Sequence, residues 1–221
     1  MKHILLLLAG FAFCIAASAS SKPNIVFVFA DDLGYGDVQA LNPEHGKIPT
    51  PHADKLASQG MIFTDAHSGS SVCSPTRYGL LTGRYSWRTR LQRGVFTGGQ
   101  PCLIAEDRPT VGTFLQEQGY HTGIIGKWHL DLQYVGENGK VVTGKKKFPQ
   151  VGWTIPDGPV NRGFDYFHGF HHARQMKAVM ENNRIIAHDE VINMLPRLTR
   201  ESVEYIDRRA KTPDQPFFLY V

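Results

Sequence analysis

The segment Asn24–Ala30 (Asn-Ile-Val-Phe-Val-Phe-Ala) constrains the fold most, because its apolar run is nearly continuous. A strand with one wet face alternates apolar and polar residues; one without alternation has to be covered on both faces, as in parallel sheets flanked by helices. The run stops at Asp31-Asp32, before Gly34-Tyr35-Gly36. Downstream, Thr50 and Pro51 predict a helix start, with Ala53, Leu56 and Ala57 at helical spacing and Gly60 as the stop. A short strand is expected over Met61–Ala66. A helix opens at Ser74-Pro75 and runs through Leu80-Leu81 toward Gly83. Thr110 caps another, with Val111, Phe114 and Leu115 on one face and Gly119 at its end, followed by a strand over Tyr120–Gly126.

From Gln133 to Asn161 the chain is rich in Gly, Lys and Pro without periodicity, as in a long functional loop. A last helix is expected over about Leu198–Lys211, then a buried strand over Pro216–Val221. Strands alternating with helices predict an α/β domain built on a mainly parallel, mixed central sheet with helices on both faces. Because the chain stops inside an apolar strand, the expectation is a truncated domain over residues 22–221.

Met1-Lys2-His3 precedes an apolar run over Ile4–Ala17 and the small residues Ala17-Ser18-Ala19-Ser20. This is the pattern of a signal peptide over residues 1–19, and the run is shorter than the roughly 20 apolar residues of a spanning helix. Export to the periplasm or the exterior is expected, without a membrane span. Phe11-Ala12-Phe13 before Cys14 is too bulky for a lipoprotein signal. Removal of Lys2 with the signal lowers the formal charge from +4 to +3, too mild a balance to call for a nucleic-acid partner. Of the three cysteines, Cys73 and Cys102 remain, few for a disulfide-stapled exported protein, although one Cys73–Cys102 pair is the plain alternative.

In an α/β sheet, ligands bind at the carboxyl ends of the strands, where Asp31-Asp32 falls. Adjacent carboxylates suit a hard cation such as calcium or magnesium, and equally a solvated turn. In Cys73-Ser74-Pro75-Thr76-Arg77-Tyr78-Gly79-Leu80-Leu81-Thr82-Gly83-Arg84, Pro75 fits the first turn of a helix, which sets Cys73 at its N-terminus, where an anion is favoured. Arg77, four residues on, shares its face. A structural cysteine at a helix start is the competing reading.

This segment resembles the first signature of the sulfatases, and Gly119-Tyr120-His121-Thr122-Gly123-Ile124-Ile125-Gly126-Lys127-Trp128-His129 resembles the second. Two long signatures in order, after the Asp31-Asp32 strand, extend the resemblance over about Lys22–Val221. It implies a fold like that of the alkaline phosphatase superfamily, and a Cys73 oxidised to formylglycine (3-oxoalanine) by a separate maturing enzyme. In the family the hydrated aldehyde attacks the sulfur of a sulfate ester, and its second hydroxyl then collapses to expel sulfate. The resemblance makes Asp31, Asp32 and modified Cys73 ligands of one Ca2+. Arg77 and Lys127 balance charge, with Lys127 also on the sulfate, and His129 is the general base for the second hydroxyl.

The family also uses a later histidine that protonates the leaving oxygen, an Asp-Asn pair on calcium and a second lysine, none of which is assignable here. The chain by itself is therefore expected to bind calcium weakly and to be inactive. The histidine-rich stretch Asn161–His172 does not have zinc-site spacing; it reads as packing, with His171, His172 and Arg174 as candidate substrate contacts. Two other functions remain open from the sequence: a phosphonate monoester or phosphodiester hydrolase with the same nucleophile, and a non-catalytic exported fragment.

Overall fold

A computed structural model describes residues 22–142 and 148–221, so the signal-peptide segment lies outside the described residues. Four parallel strands form the heart of the sheet: β1 (Ile25–Phe27), β2 (His121–Lys127), β3 (Tyr166–Phe170) and β6 (Phe217–Tyr220). The antiparallel β4 (Ala178–Glu181) and β5 (Arg184–His188) complete the order β1-β6-β2-β3-β4-β5. The helices are α1 (Pro51–Gln59), α2 (Cys73–Thr82), α3 (Val111–Glu117) and α4 (Met194–Ala210).

The expected two-sided cover is found at β6 and β2 but not at β1. The Asn24–Ala30 run lies at the sheet edge, paired only with β6, and its Val26, Phe27 and Val28 are exposed among the described residues. On β6, Phe218 and Tyr220 join Ile124 of β2 and Phe167 of β3 in a core with Tyr78 and Leu81 of α2, against which Val111 and Leu115 of α3 pack. The intervening Phe217, Leu219 and Ile125 point the other way, into a core with Tyr205 and Leu198 of α4. Successive strand residues thus serve opposite faces, and helices cover both. Gly123 makes room for α4, since a Cβ there would lie 2.7 Å from the Tyr205 ring.

Several boundaries differ from the sequence reading. Regular β1 pairing is shorter than the expected run, although Phe29 still donates its N–H to Val221 O at 2.8 Å. Met61–Ala66 is turn and coil, not a strand; it has no ladder partner among the described residues, and Met61 and Phe63 are exposed. Thr50 does not cap α1 with its side chain; the hydroxyl instead bonds to Asp54 Oδ1 and accepts the Gln39 N–H. Leu56 and Phe114 face outward, so helical spacing overstated the buried faces of α1 and α3. The last helix begins at Met194, four residues before the expected Leu198, because Pro196 fits its first turn.

The β4–β5 hairpin was not anticipated. Its two-residue turn, Asn182-Asn183, places Asn182 at φ 49°, a left-handed conformation that asparagine tolerates. Apart from a 3-10 turn at Pro159–Asn161, the segment 133–161 is irregular where described, tied by isolated bridges of Val135 to Val141 and Thr154. No helix among the described residues is long and apolar enough to cross a membrane.

Beside β2, Gly169 leaves no space at all, since a Cβ there would fall 1.9 Å from Gly126 O. Backbone cannot yield as a flexible side chain can. Gly169→Ala is expected to lower stability by about 3 kcal/mol, read as a reduced urea midpoint with an unchanged m-value; a wild-type midpoint would contradict the close β2–β3 approach.

Candidate functional site

The parallel strands end side by side, and their ends carry the chemistry. Asp31 and Asp32 follow β1, Lys127 closes β2, Tyr220 closes β6, and Cys73 opens α2. Extended Val72 precedes the helix, while the Thr76 hydroxyl lies 2.8 Å from the carbonyls of Ser70 and Val72, tying down the turn before Cys73. At the other end Gly83 adopts φ 64° and closes the helix through its N–H to Gly79 O.

Lys127 Nζ stands 3.3 Å from Cys73 Sγ and 2.6 Å from Asp31 Oδ2. Asp31 Oδ1 lies 3.7 Å from the same sulfur. Arg77, buried behind them, donates through Nη2 to Asp31 Oδ2 at 3.0 Å and through Nη1 to Lys127 O and Tyr220 Oη. Its guanidinium also sits 5.4 Å from the centre of the Phe29 ring. Burial alone would push the Asp31 carboxyl up, but the Lys127 hydrogen bond and charge, with Arg77, hold it below its ordinary value. Two cations against this one carboxylate leave positive charge beside Cys73, which suits an anionic ligand.

Asp32 is exposed at φ 60°. Among the described residues no three His, Cys, Asp or Glu side chains converge on a metal position. Calcium takes six to eight oxygens, so Asp31 and Asp32 are donors of the right chemistry but do not make a coordination shell.

His129 follows β2 at φ 54°, held there by its N–H to His171 O at 2.8 Å. Its Nε2 lies 2.9 Å from Phe96 O. Burial pushes its pKa down to about 4, with the Phe96 carbonyl opposing and the charges of Lys127, His172 and Arg77 assisting, so the ring is neutral at ordinary pH. His171 and His172 are buried against it, whereas Arg174 is exposed. Among the described residues Cys73 and Cys102 are unpaired, and burial pushes the Cys102 thiol up to about 12. The disulfide alternative has no support here.

Sequence reasoning missed Phe29, Tyr220, the Phe96 loop and Asp131. Ser74 accepts the Phe96 N–H through its hydroxyl at 3.3 Å, and buried Asp131 accepts the N–H groups of Gln100 and Leu132. Tyr220 was readable as a strand-end polar tip; Asp131 gave no signal beyond its place two residues after His129.

Among known proteins, the family model described as Sulfatase matches residues 23–221. The N-acetylgalactosamine-6-O-sulfatase of Bacteroides thetaiotaomicron is 46% identical over 113 residues, 51% of this chain and 22% of that protein. Arylsulfatase G of Homo sapiens is 31% identical over 248 aligned positions, 95% of this chain and 42% of its own length. A solved Bacteroides thetaiotaomicron sulfatase, described under the metabolism of multiple glycosaminoglycans, superposes with a TM-score of 0.74 at 26% identity, covering 91% of this chain and 50% of that one. The fold is thus the alkaline-phosphatase-like one of the solved sulfatases. The chain spans half or less of each of these three proteins.

Burial raises the Asp131 carboxyl to about 6, against the Gln100 and Leu132 hydrogen bonds and Arg90. A raised folded pKa favours the protonated folded form, so this contribution is fully present below the ordinary 3.8 and is lost as pH rises through about 6. Asp131→Asn should therefore gain in urea midpoint over wild type between pH 4 and pH 7 (about the window of that shift). A pH-independent difference would refute the buried charge.

Proposed function

This chain belongs to the sulfatase family, and on that premise we propose that the protein it forms hydrolyses sulfate esters, with the oxidised side chain of Cys73 as nucleophile. The observation that carries the reading is Cys73 at the N-terminus of α2 with Lys127 Nζ 3.3 Å from its sulfur. Oxidation to formylglycine would supply a hydrated aldehyde there, and a calcium ion would supply positive charge beside the sulfate oxygens. Asp31 and Asp32 would hold that ion, with further oxygen donors from outside the described residues.

The roles of the chain's own groups follow from their places. The α2 N-terminus and Lys127 favour negative charge at position 73, and Lys127 is within reach of a sulfate oxygen bound there. Lys127 and, behind it, Arg77 keep Asp31 ionised and in place. His129, neutral because it is buried, is the group able to accept a proton. The family's general dependence on formylglycine and calcium supports both assignments, and a separate maturing enzyme would act as partner. The N-terminal sequence supports export to the periplasm or the exterior.

The test uses the protein carrying this chain, co-expressed with a formylglycine-generating enzyme. Mass spectrometry of the Cys73 peptide is expected to find the aldehyde in place of the thiol, and an aryl sulfate should be cleaved in preference to an aryl phosphonate. Cys73→Ala should abolish turnover, and Lys127→Ala should lower kcat by about 10²–10³-fold. Full activity of Cys73→Ala would sink the proposal, and preference for the phosphonate would redirect it to phosphorus.

A further inference from the structure

Three imidazoles pack together where the loop through Phe96, Thr97 and Gly98 crosses the ends of β2 and β3. Ring centres lie 4.7 Å apart for His171 and His172, 5.5 Å for His129 and His172, and 6.0 Å for His129 and His171. A carbonyl oxygen only accepts, so each contact to one fixes a proton on the facing nitrogen. His129 Nε2 lies 2.9 Å from Phe96 O, and His172 Nε2 lies 3.2 Å from Thr97 O. His172 Nδ1 in turn accepts the Arg174 N–H at 3.2 Å. His171 Nδ1 faces Gln175 Oε1, which also accepts the Tyr134 hydroxyl. Two lone pairs are left over, on His129 Nδ1 and His171 Nε2, both buried without a partner in the described chain.

We infer that the Phe96 carbonyl holds neutral His129 in its Nε2–H tautomer, so that Nδ1 is the nitrogen that accepts a proton, and that His172 is a positioning residue for this arrangement. The opposite tautomer is worse at both ends of the ring. It sets a lone pair against the Phe96 carbonyl, acceptor to acceptor, and buries an unpaired N–H at Nδ1.

The loop is braced for this task. Phe96 N–H bonds to Ser74 Oγ, Gly99 N–H to Leu132 O at 3.2 Å, and Gln100 N–H to Asp131 Oδ1 at 3.2 Å. His172 stacks on His129 at an interplanar angle of 29° and grips Thr97, the residue after Phe96. When Nδ1 takes the proton of the collapsing second hydroxyl, Nε2–H stays on Phe96 O, and that bond strengthens as the ring becomes cationic. The proton's source rests on the sulfatase reading. The tautomer itself does not.

Histidine-15N-labelled full chain at pH 7 tests this by long-range 1H–15N correlation, with the His129 signals assigned by their loss in His129→Phe. The expected spectrum has His129 Nδ1 unprotonated and Nε2 protonated; a protonated Nδ1, or an even mixture, would overturn the inference. His172→Phe keeps a ring in the stack but loses the Thr97 bond, and should shift His129 toward a mixture. His172→Gln, whose amide still reaches a carbonyl, should restore the single tautomer. His129 shifts unchanged in His172→Phe would remove His172 from the positioning role, and if neither variant folds the wild-type spectrum still decides the tautomer. The spectrum needs no substrate, so absent sulfate ester hydrolysis would count against the proposed function alone, and a reversed tautomer against this inference alone.

Discussion

The Arg77 guanidinium ties helix α2 to three strand ends of the site. It leaves α2 and meets the Lys127 carbonyl at the end of β2, the Tyr220 hydroxyl at the end of β6, the Asp31 carboxylate after β1 and the face of Phe29. A buried guanidinium is tolerable only when compensated, and removing one partner of such a pair leaves a stranded charge. The contact that orients Asp31 beside Cys73 is therefore also the contact that keeps three strand ends in register with the helix. Stability and site geometry depend on the same side chain.

That dependence explains what was legible from sequence. Cys73 and Arg77 sit one helical turn apart, and helical spacing is a local property. Asp31 and Lys127 end apolar strands, and the end of an apolar run is also local. What escaped was set by contacts between distant segments. Tyr220 matters because Arg77, 143 residues away, reaches its hydroxyl. The Phe96 loop matters because Ser74, His129 and Asp131 hold it from three directions. Met61–Ala66 has strand-like composition, but pairing partners decide whether a strand forms. Leu56 and Phe114 had the right spacing and the wrong neighbours.

Backbone strain is gathered at the same place. Four non-glycine residues among those described have positive φ; Asn182 makes the hairpin turn, and the other three are Asp32, His129 and Asp131. Each costs on the order of 1 kcal/mol or more, and persists where surrounding bonds leave no alternative. For His129 those bonds are visible. Trp128 and His129 donate to Phe170 O and His171 O, continuing the β2–β3 pairing past the end of the strand, so the bend occurs under a fixed ladder.

The positive charge that these constraints assemble has two consequences. Lys127 and Arg77 are two cations on the single Asp31 carboxylate, a balance that suits an anion beside Cys73. The same two charges, added to burial, disfavour a proton on His129. In the proposed reaction a monoanionic sulfate ester would partly offset them, making the imidazole a stronger base when substrate is present than when it is absent. On the proposed role of His129, base strength would thereby be coupled to occupancy without any movement of the chain, with its free lone pair facing the proton it would take. Fixing the tautomer through a main-chain carbonyl serves that end, since a carbonyl has no second hydrogen-bonding role to switch to.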